Sequence, residues 1–600
     1  MISLFAVLAP ACNAAALFAQ LAAATGGTAW QNVAEISATG RLASAGLQGV
    51  AAFQEDLRDG RYAMRFTLPI VGTSEQIYDG TTVWSRDISG GVHPYDSWYP
   101  RARAVTDAFV TRRAYLDPRS DAKVECLGPD DNASQQHELV RVTPPGGIAA
   151  TLAVDERTHL LDSVSIRTPT STDVTTYGDY RQTGGLRLPF TIATASLFEP
   201  ANGTLVEVTR YAVAAQADDA DFRKPQAAGK ARMNGVARST SVPITLEARQ
   251  LLVWASIDGH SPMPFILDSG GHAILDSVAA KMLGIRGVGS GVSGGAGAGT
   301  IGLQYARVGS VQIGNAELLD QPFLIIPYPY SFYERGSRVP LAGILGLEWF
   351  ERYAIRIDYA ARRLTLTPLA TFVHSGGGAA VPIRFQEDMP LATAAADGNA
   401  GDFGVDTGNA GLLVLYGDFL RRTGLMAKYG GGTTIRGEGT GGGNTGSLQK
   451  LARFEIGGAE MLDIDADLTQ MKTGSFSSWT EAGDLGLTVL SRFTPTFDYA
   501  RQTLYLDPAP HPLVIARNRS GIGFAKKTLD AIEVVSVRPG SPAAAAGIAS
   551  GDRIVAVNGR NVAGISAADF YDLVTAPARA PLQLTIQRDA VNRTILLTLR

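Results

Sequence analysis

The residues best suited to chemistry are two aspartates, each in an Asp-hydroxyl-Gly segment. The segments are Asp268-Ser269-Gly270 and Asp406-Thr407-Gly408. Two carboxylates that face each other cannot both ionise easily, so they share one proton and titrate as a coupled pair. The ionised acid can take a proton from water while the protonated acid donates to a peptide carbonyl, which lets water attack an amide directly. We expect the two hydroxyls to orient the carboxylates and the two glycines to let the backbone pass close by.

The two aspartates occupy matching places in an internal repeat. Two further segments recur with one common spacing: Leu345-Gly346-Leu347 at Leu485-Gly486-Leu487, and Asp358-Tyr359-Ala360 at Asp498-Tyr499-Ala500. Residues 240–370 and 377–510 are therefore predicted to be two copies of one unit. Duplication creates a pseudo-twofold axis, and equivalent residues meet at such an axis. We expect Asp268 and Asp406 to meet there.

The elements that must hold these residues are predicted to be strands. Each copy begins with apolar, β-branched residues around its aspartate, passes a glycine-rich stretch and ends in an alternating segment such as residues 354–358. The chain has 67 glycines among 600 residues, which favours many tight turns. We therefore predict a mainly β fold.

The duplicated apolar-apolar-Asp-Ser/Thr-Gly motif, followed in each copy by an apolar-Gly element, resembles the aspartic peptidases of the pepsin and retropepsin kind. The resemblance implies a catalytic dyad of Asp268 and Asp406 beneath mobile β-hairpin flaps. Glycine-rich stretches lie where the flaps would be in both lobes, with candidate flap residues Gly297, Gly299, Gly437 and Gly439. Two glycine-tipped flaps are closer to the retroviral type than to pepsin.

Three positions depart from that family's pattern. Gly271 and Asn409 follow the two motifs, where a small residue such as Ala or Ser is usual, and Asp484 precedes the second apolar-Gly element, where the pattern prefers an apolar residue. These departures leave open a catalytically silent lookalike of the same fold.

Residues 511–600 are similar to bacterial PDZ domains. The segment Gly521-Ile522-Gly523-Phe524 takes the place of the loop that, in PDZ domains, presents backbone N–H groups to a peptide C-terminal carboxylate. Ser541 before Pro542 is typical of a helix start, and Asn558-Gly559 of a hairpin turn. A PDZ domain that packs against the peptidase and binds no peptide remains an alternative.

The N-terminal part is less informative. Residues 25–235 contain alternating segments typical of a half-buried antiparallel sheet, and residues 179–190 faintly resemble bacterial lipoprotein carriers. Residues 1–24 carry no charged side chain and are rich in Leu, Ala and Phe, which predicts an export signal and a periplasmic or extracellular location. Cys12 resembles a lipoprotein attachment site, although Pro10 fits that pattern poorly.

Several other functions are disfavoured. The formal charge of −4 and the scattered basic residues give no footprint for nucleic acid. Residues 291–295 match a serine-hydrolase formula and the glycine runs loosely match a dinucleotide fingerprint, but neither has the required strand and helix context. The seven histidines are dispersed, so no metal site is predicted, and no organic cofactor is implied. We interpret His272 as a structural or surface histidine.

The sequence therefore predicts an exported, bacterial-type aspartic endopeptidase with a PDZ module for peptide C-termini. Its partners would be polypeptide substrates and peptide tails, without nucleic acid, and with membrane anchoring at most through the N-terminus. The alternative is a silent peptidase-fold scaffold whose function is peptide capture by the PDZ domain.

Overall fold

A computed structural model describes residues 13–130, 136–247, 249–327, 341–513, 515–516, 518–526, 528–576 and 581–599. The chain divides into two compact units. The first comprises Met1–Asp87 with Pro94–Gln226, and the second comprises Ile88–His93 with Ala227–Arg600. The predicted domain limits within these units remain predictions.

The first unit is built on one large antiparallel sheet. In the order β6-β5-β4-β3-β2-β1-β13-β12-β11-β10-β9-β8-β7, neighbouring strands are mostly consecutive in the chain, which makes a long meander. Its elements are α1 (Ala14–Thr25), β1 (Glu35–Ser44), β2 (Leu47–Asp56), β3 (Tyr62–Leu68), β4 (Gly72–Tyr78), β5 (Val83–Arg86), β6 (Val92–Tyr95), α2 (Trp98–Thr111), β7 (Lys123–Pro129), β8 (His137–Thr143), β9 (Ala150–Asp155), β10 (Leu161–Arg167), β11 (Thr172–Thr183), β12 (Leu186–Ser196) and β13 (Thr204–Ala214). The predicted antiparallel sheet is confirmed here.

The second half of the predicted signal segment belongs to α1. Its Leu17, Phe18 and Leu21 are buried against the sheet of the first unit. The first half of that segment, including Cys12, lies outside the described residues. In the described part of the chain, no helix has both the length and the apolar character needed to cross a membrane.

Lobe 1, the name used here for residues 240–370, is rich in short strands. The elements from its leading strand onward are β14 (Lys230–Met233), β15 (Thr240–Pro243), β16 (Thr245–Glu247), β17 (Gln250–Ile257), β18 (Met263–Leu267), β19 (Ile274–Asp276), α3 (Ser277–Met282), β20 (Val288–Ser293), β21 (Ile301–Ile313), β22 (Ala316–Ile326), β23 (Gly343–Leu345), α4 (Leu347–Phe350), β24 (Tyr353–Asp358) and β25 (Arg363–Pro368). Strands β14, β22, β19, β23, β18, β17, β21 and β20 follow one another in its sheet, and β16 pairs with β17.

Lobe 2, residues 377–510, repeats this order of elements. Its elements are β26 (Ala379–Gln386), β27 (Met389–Ala396), β28 (Asn399–Val405), β29 (Leu413–Leu415), α5 (Gly417–Arg422), α6 (Leu425–Tyr429), β30 (Thr433–Gly439), β31 (Gly442–Ile456), β32 (Ala459–Thr469), β33 (Gly483–Leu485), α7 (Leu487–Leu490), β34 (Phe493–Asp498) and β35 (Thr503–Pro508). One continuous sheet contains both lobe ends, in the order β15-β25-β24-β34-β35-β26. At its centre Ile355 pairs with Phe497, so equivalent strands of the two lobes meet at the pseudo-twofold axis.

The C-terminal residues form a small sheet with one longer helix. The elements are β36 (Ile522–Ala525), β37 (Ile532–Val537), α8 (Pro542–Ala545), β38 (Arg553–Val557), β39 (Arg560–Asn561), α9 (Ala567–Thr575), β40 (Leu582–Arg588) and β41 (Val591–Leu597). Strand β36 lies at one edge of the order β36-β37-β38-β40-β41. Ser541 accepts a hydrogen bond from the Ala544 amide and caps α8, as its position before Pro542 predicts. The predicted mainly β fold with an α+β C-terminal domain is confirmed.

Candidate active site

Both aspartates lie at the end of a strand that runs parallel to the strand of an apolar-Gly element. Strand β18 pairs with β23 and β28 pairs with β33, both in parallel. The amide of Asp268 donates to the carbonyl of Leu345 at 2.9 Å, and that of Asp406 donates to Leu485 at 3.2 Å. The recurrent Leu-Gly-Leu segments therefore fix the position of the backbone at each aspartate, just after its strand ends.

The hydroxyls next to the aspartates join the two lobes. Thr407 Oγ1 accepts from the Ser269 amide at 3.0 Å and donates to the Leu267 carbonyl at 2.8 Å. Ser269 Oγ accepts from the Thr407 amide at 3.0 Å and donates to the Val405 carbonyl at 2.6 Å. Both side chains are buried, at 0% and 5% exposure for Ser269 and Thr407. Four buried hydrogen bonds thus hold the two aspartate turns together.

The carboxyl groups meet across the lobe boundary. Asp268 Oδ1 accepts from the Gly270 amide at 2.9 Å, and Asp406 Oδ1 accepts from the Gly408 amide at 2.7 Å. The two carboxyls hydrogen-bond to each other. A Cβ on Gly408 would lie 2.5 Å from Asp268 Cγ, and a Cβ on Gly270 would lie 3.5 Å from Asp406 Cγ. Each carboxyl therefore lies over the glycine of the opposite lobe.

The electrostatics of the pair are asymmetric. Burial, together with the Asp406 carboxyl, raises the pKa of Asp268 well above its usual range. Burial and the nearby Asp484 raise the pKa of Asp406 to about 7, while the hydrogen bond with Asp268 and the amide donors oppose that rise. The pair therefore holds one proton while one carboxyl is ionised, and general acid–base catalysis needs one acid and one base of this kind.

Two β-hairpins meet tip to tip, and they contain the predicted flap glycines. The amides of Gly297 and Gly299 donate to the carbonyls of Thr440 and Gly441 at 2.9 and 3.0 Å. Gly439 is so close to the other hairpin that a Cβ there would lie 2.9 Å from Ala296 Cβ. Gly437 lies two residues back on β30, opposite Asn444. The two glycine-tipped hairpins are thus joined by backbone hydrogen bonds.

Two known protein families match parts of the chain, and both matches agree with this geometry. A family model described as aspartyl protease matches residues 253–349, which contain the first aspartate and its apolar-Gly element. The chain contains an aspartyl protease domain. A PDZ domain follows it, because a PDZ family model matches residues 533–588. None of the curated proteins matches the chain.

Solved structures similar to parts of the chain include three proteins. They are a DUF1329 family protein from Desulfovibrio piger (10% identity, 35% of this chain and 95% of that chain, TM-score 0.26), a LolA superfamily protein from Nitrosomonas europaea (13%, 36% and 99%, TM-score 0.26), and a retropepsin-like aspartic protease from Rickettsia conorii (16%, 24% and 96%, TM-score 0.16).

Lobe 2 places a third acid beside the pair. Asp484, on β33, pairs in register with Gly404 on β28, two residues before Asp406. It is 2% exposed, hydrogen-bonds with Asp406, and accepts from the Asn409 amide group at 3.4 Å. Burial raises the pKa of Asp484 to about 8. Two of the sequence departures, Asn409 and Asp484, are therefore partners of each other and of the dyad.

Two further polar side chains near the dyad, Gln250 and Tyr499, were not predicted from the sequence. Gln250 Nε2 donates to the Gly408 carbonyl at 3.0 Å, and the Tyr499 hydroxyl donates to the Ser269 carbonyl at 2.9 Å. Both contacts cross between the lobes, and a single sequence gives no signal for them. Tyr499 lies in the recurrent Asp-Tyr-Ala segment, and this recurrence was the one feature of the sequence that singled it out.

His272 is part of a partly buried charged group. Its Nδ1 lies 3.1 Å from Glu348 Oε1 and its Nε2 lies 2.8 Å from Asp388 Oδ2. Burial by itself lowers the pKa of His272, but the two carboxylates raise it well above its usual range. Because Asp388 belongs to lobe 2 and His272 to lobe 1, this ion pair joins the lobes close to Asp268.

In the PDZ domain, the backbone amides of the predicted carboxylate-binding loop donate to nearby side chains of the same domain. The Gly521 amide donates to Asn518 Oδ1 at 3.1 Å, and the Ile522 amide donates to Ser520 Oγ at 3.0 Å. Asn518 Nδ2 donates back to the Ile522 carbonyl at 2.7 Å. Gly523 continues along edge strand β36, and the neighbouring Phe524 packs inward against a phenylalanine of α9. A bound peptide carboxylate would therefore replace the Asn518 and Ser520 acceptors.

Proposed function

We propose that the chain is an active aspartic endopeptidase in which Asp268 and Asp406 activate a water molecule for attack on a peptide bond. The observation that carries this proposal is the contact between the two carboxyls, each lying over the glycine of the opposite lobe. In this proposal Asp406 would be the ionised acid and would accept the proton of the water. Asp268 would donate its proton to the peptide carbonyl, and no covalent intermediate is needed.

The test compares wild type with Asp268→Asn and Asp406→Asn in hydrolysis of an unstructured protein such as casein. Loss of either carboxylate should reduce turnover by at least about a thousandfold, since the two acids act as one unit. Asp463→Asn is the matched control, because Asp463 is exposed on β32 and asparagine tolerates its φ of 49°. Equal hydrolysis by all four proteins would remove the dyad mechanism.

The PDZ domain supports binding of peptides or polypeptides. We propose that it recognises free peptide C-termini through the Gly521 and Ile522 amides, because these lie at the start of edge strand β36, where a peptide can add as a further strand. Peptides with a free carboxylate should bind and their C-terminally amidated versions should not. Peptide binding by a protein whose dyad has no activity would favour the scaffold alternative.

We also propose that the protein is exported to the periplasm or the cell exterior of a bacterium. The uncharged, apolar residues 1–24 support this proposal. Mass spectrometry of the secreted protein would detect cleavage or acylation near Cys12. An intact N-terminus on a protein found only in the cytoplasm would contradict export.

A further inference from the structure

A row of apolar side chains crosses the sheet of lobe 1 beside the dyad. In register, Ile266 lies opposite Ile344, Ile344 opposite Ile274, Ile274 opposite Leu324 and Leu324 opposite Tyr305. Residues directly opposite each other share one face of a sheet. With Leu341, these residues form an apolar cluster that is separate from the main core of the two lobes.

The same row exists in lobe 2 and carries acids. Its members in the same order are Gly404, Asp484, Val414, Asp467 and Leu448. Asp484 replaces Ile344 and Asp467 replaces Leu324. Glu481 replaces Leu341, because it precedes Asp484 by the same distance along the chain as Leu341 precedes Ile344. Three apolar positions of lobe 1 are thus carboxylic acids in lobe 2.

This row faces the dyad and the flap strand. Asp484 hydrogen-bonds with Asp406, which places the row on the side of the sheet where the reacting groups lie. Flap strand β31 has Gly446 where lobe 1 has Leu303, and a Cβ on Gly446 would clash with Asp467 Oδ1. Because Gly446 has no side chain, the Asp467 carboxyl has room beside flap strand β31.

The three acids have no cationic partner among the described residues. No lysine or arginine in this part of the chain contributes to the electrostatics of Asp467 or Glu481. The buried Asp467 Oδ1 accepts no hydrogen bond from any residue that the structure describes. Burial raises the pKa of Asp467 to about 7 and that of Glu481 to about 8. Buried carboxylates without a counter-charge are costly, and a cation brought by a ligand would remove that cost.

We propose that the cleft accepts an apolar substrate side chain on the lobe 1 side of the scissile bond and a basic side chain on the lobe 2 side. Ile344 and Leu324 would contact the apolar side chain, and Asp467, in the same row as Asp484, would pair with the basic one. The proposal rests on the endopeptidase function, since it names the substrate class of that same site. Specificity would then be the difference in kcat/KM between peptides whose side chains suit these two pockets and peptides whose side chains do not.

The experiment uses the full chain and C-terminally amidated fluorogenic peptides, so that the PDZ domain has no free carboxylate to bind. Lysine and norleucine, which have side chains of similar length, are exchanged on either side of the scissile bond. In one of the two placements, kcat/KM should favour lysine by about tenfold or more. In the other placement it should favour norleucine.

Asp467→Asn is the decisive variant, because two strands, β33 and β29, lie between the strand of Asp467 and the strand that ends at Asp406. This variant should lower the lysine-to-norleucine ratio of kcat/KM about tenfold. Asp463→Asn, in the same hairpin, should leave the ratio unchanged. Asp467→Leu introduces the lobe 1 residue and should reverse the preference. An equal rate for both peptides in wild type, or an unchanged ratio in Asp467→Asn, would overturn the proposal.

A binding measurement separates failure of this proposal from failure of the endopeptidase function. The same peptides are titrated against Asp268→Asn by fluorescence anisotropy, with thermal melting as the check on folding. Lysine peptides should bind about tenfold more tightly than norleucine peptides, and Asp467→Asn in that background should remove the difference. Equal binding overturns the specificity even if the wild type cleaves, and selective binding supports it even if no peptide is cleaved.

Discussion

Ser269 and Thr407 each accept the other's amide proton and donate to a carbonyl of the opposite lobe. The two aspartate turns are therefore one hydrogen-bonded unit made from both halves of the chain. Buried backbone amides need partners, so this unit couples the stability of the lobes to the position of the dyad.

Thr407→Val should test that coupling. The change keeps the shape of the side chain but leaves the Ser269 amide and the Leu267 carbonyl without their buried partner, at a cost of about 1–3 kcal/mol in the free energy of unfolding. Denaturant unfolding measures it. Thr393→Val, on an exposed face of the same lobe, should cost less than about 0.5 kcal/mol. Similar costs for the two variants would contradict the prediction.

Gly408→Ala should displace Asp268 without altering any titratable group. The added Cβ would lie 2.5 Å from Asp268 Cγ, and a displacement of about 1 Å at a reacting group costs on the order of a hundredfold in rate. Gly377→Ala, with no atom within 4 Å of the added Cβ, is the control and should retain full activity. Peptidase assays on both variants measure the effect. Full activity in Gly408→Ala would contradict the dyad geometry.

The pH dependence of kcat/KM should reflect Asp406. Its pKa of about 7 means that activity rises with pH through about 7, as the acid ionises while Asp268 remains protonated. Asp484→Asn removes the nearby carboxyl that raises the pKa of Asp406, so the acid limb of the profile should move to lower pH. A pH–rate profile for each protein measures the shift. An unchanged limb would show that Asp484 does not act on Asp406.

Cross-linking the flap tips should close the cleft. Ala296→Cys combined with Gly439→Cys brings two thiols together at the point where the hairpins meet, with Cβ atoms close enough for a disulfide after a small widening. Oxidation should abolish hydrolysis of a protein substrate and reduction should restore it. Each single cysteine variant should remain active under both conditions. Activity in the oxidised double variant would mean that substrate does not enter beneath the flaps.

Glu481→Gln should change how stability depends on pH. Burial raises the pKa of Glu481 to about 8 in the folded state, so the folded protein binds more protons than the unfolded chain between about pH 4 and 8. Stability from this group is therefore present at low pH and lost as pH rises through 8. Glutamine does not titrate, so Tm of the variant should exceed that of wild type increasingly from pH 5 to pH 8. Parallel Tm profiles would contradict this.

The repeat made the dyad predictable, because two aspartates at matching places in a duplicated unit must meet if the copies pair about an axis. The glycine runs marked the tips of the two hairpins for the same reason, and their role as flaps stays a prediction. The role proposed for Asp467 was not predictable, since Asp467 lies far from Asp406 in the chain and joins the row that contains Asp484 only through the registers of β28, β33, β29 and β32.

The sequence by itself determined which residues could do chemistry and that the chain folds as a duplicated β structure. Turn residues and the spacing of a repeat are local features, so they can be read directly from the order of the amino acids. The tertiary structure alone decided which side chains cross the lobe boundary, such as Asp388 with His272 and Gln250 with Gly408. It also decided that the acids of lobe 2 face the dyad. Strand register and lobe pairing set those contacts, and both arise only when distant strands come together.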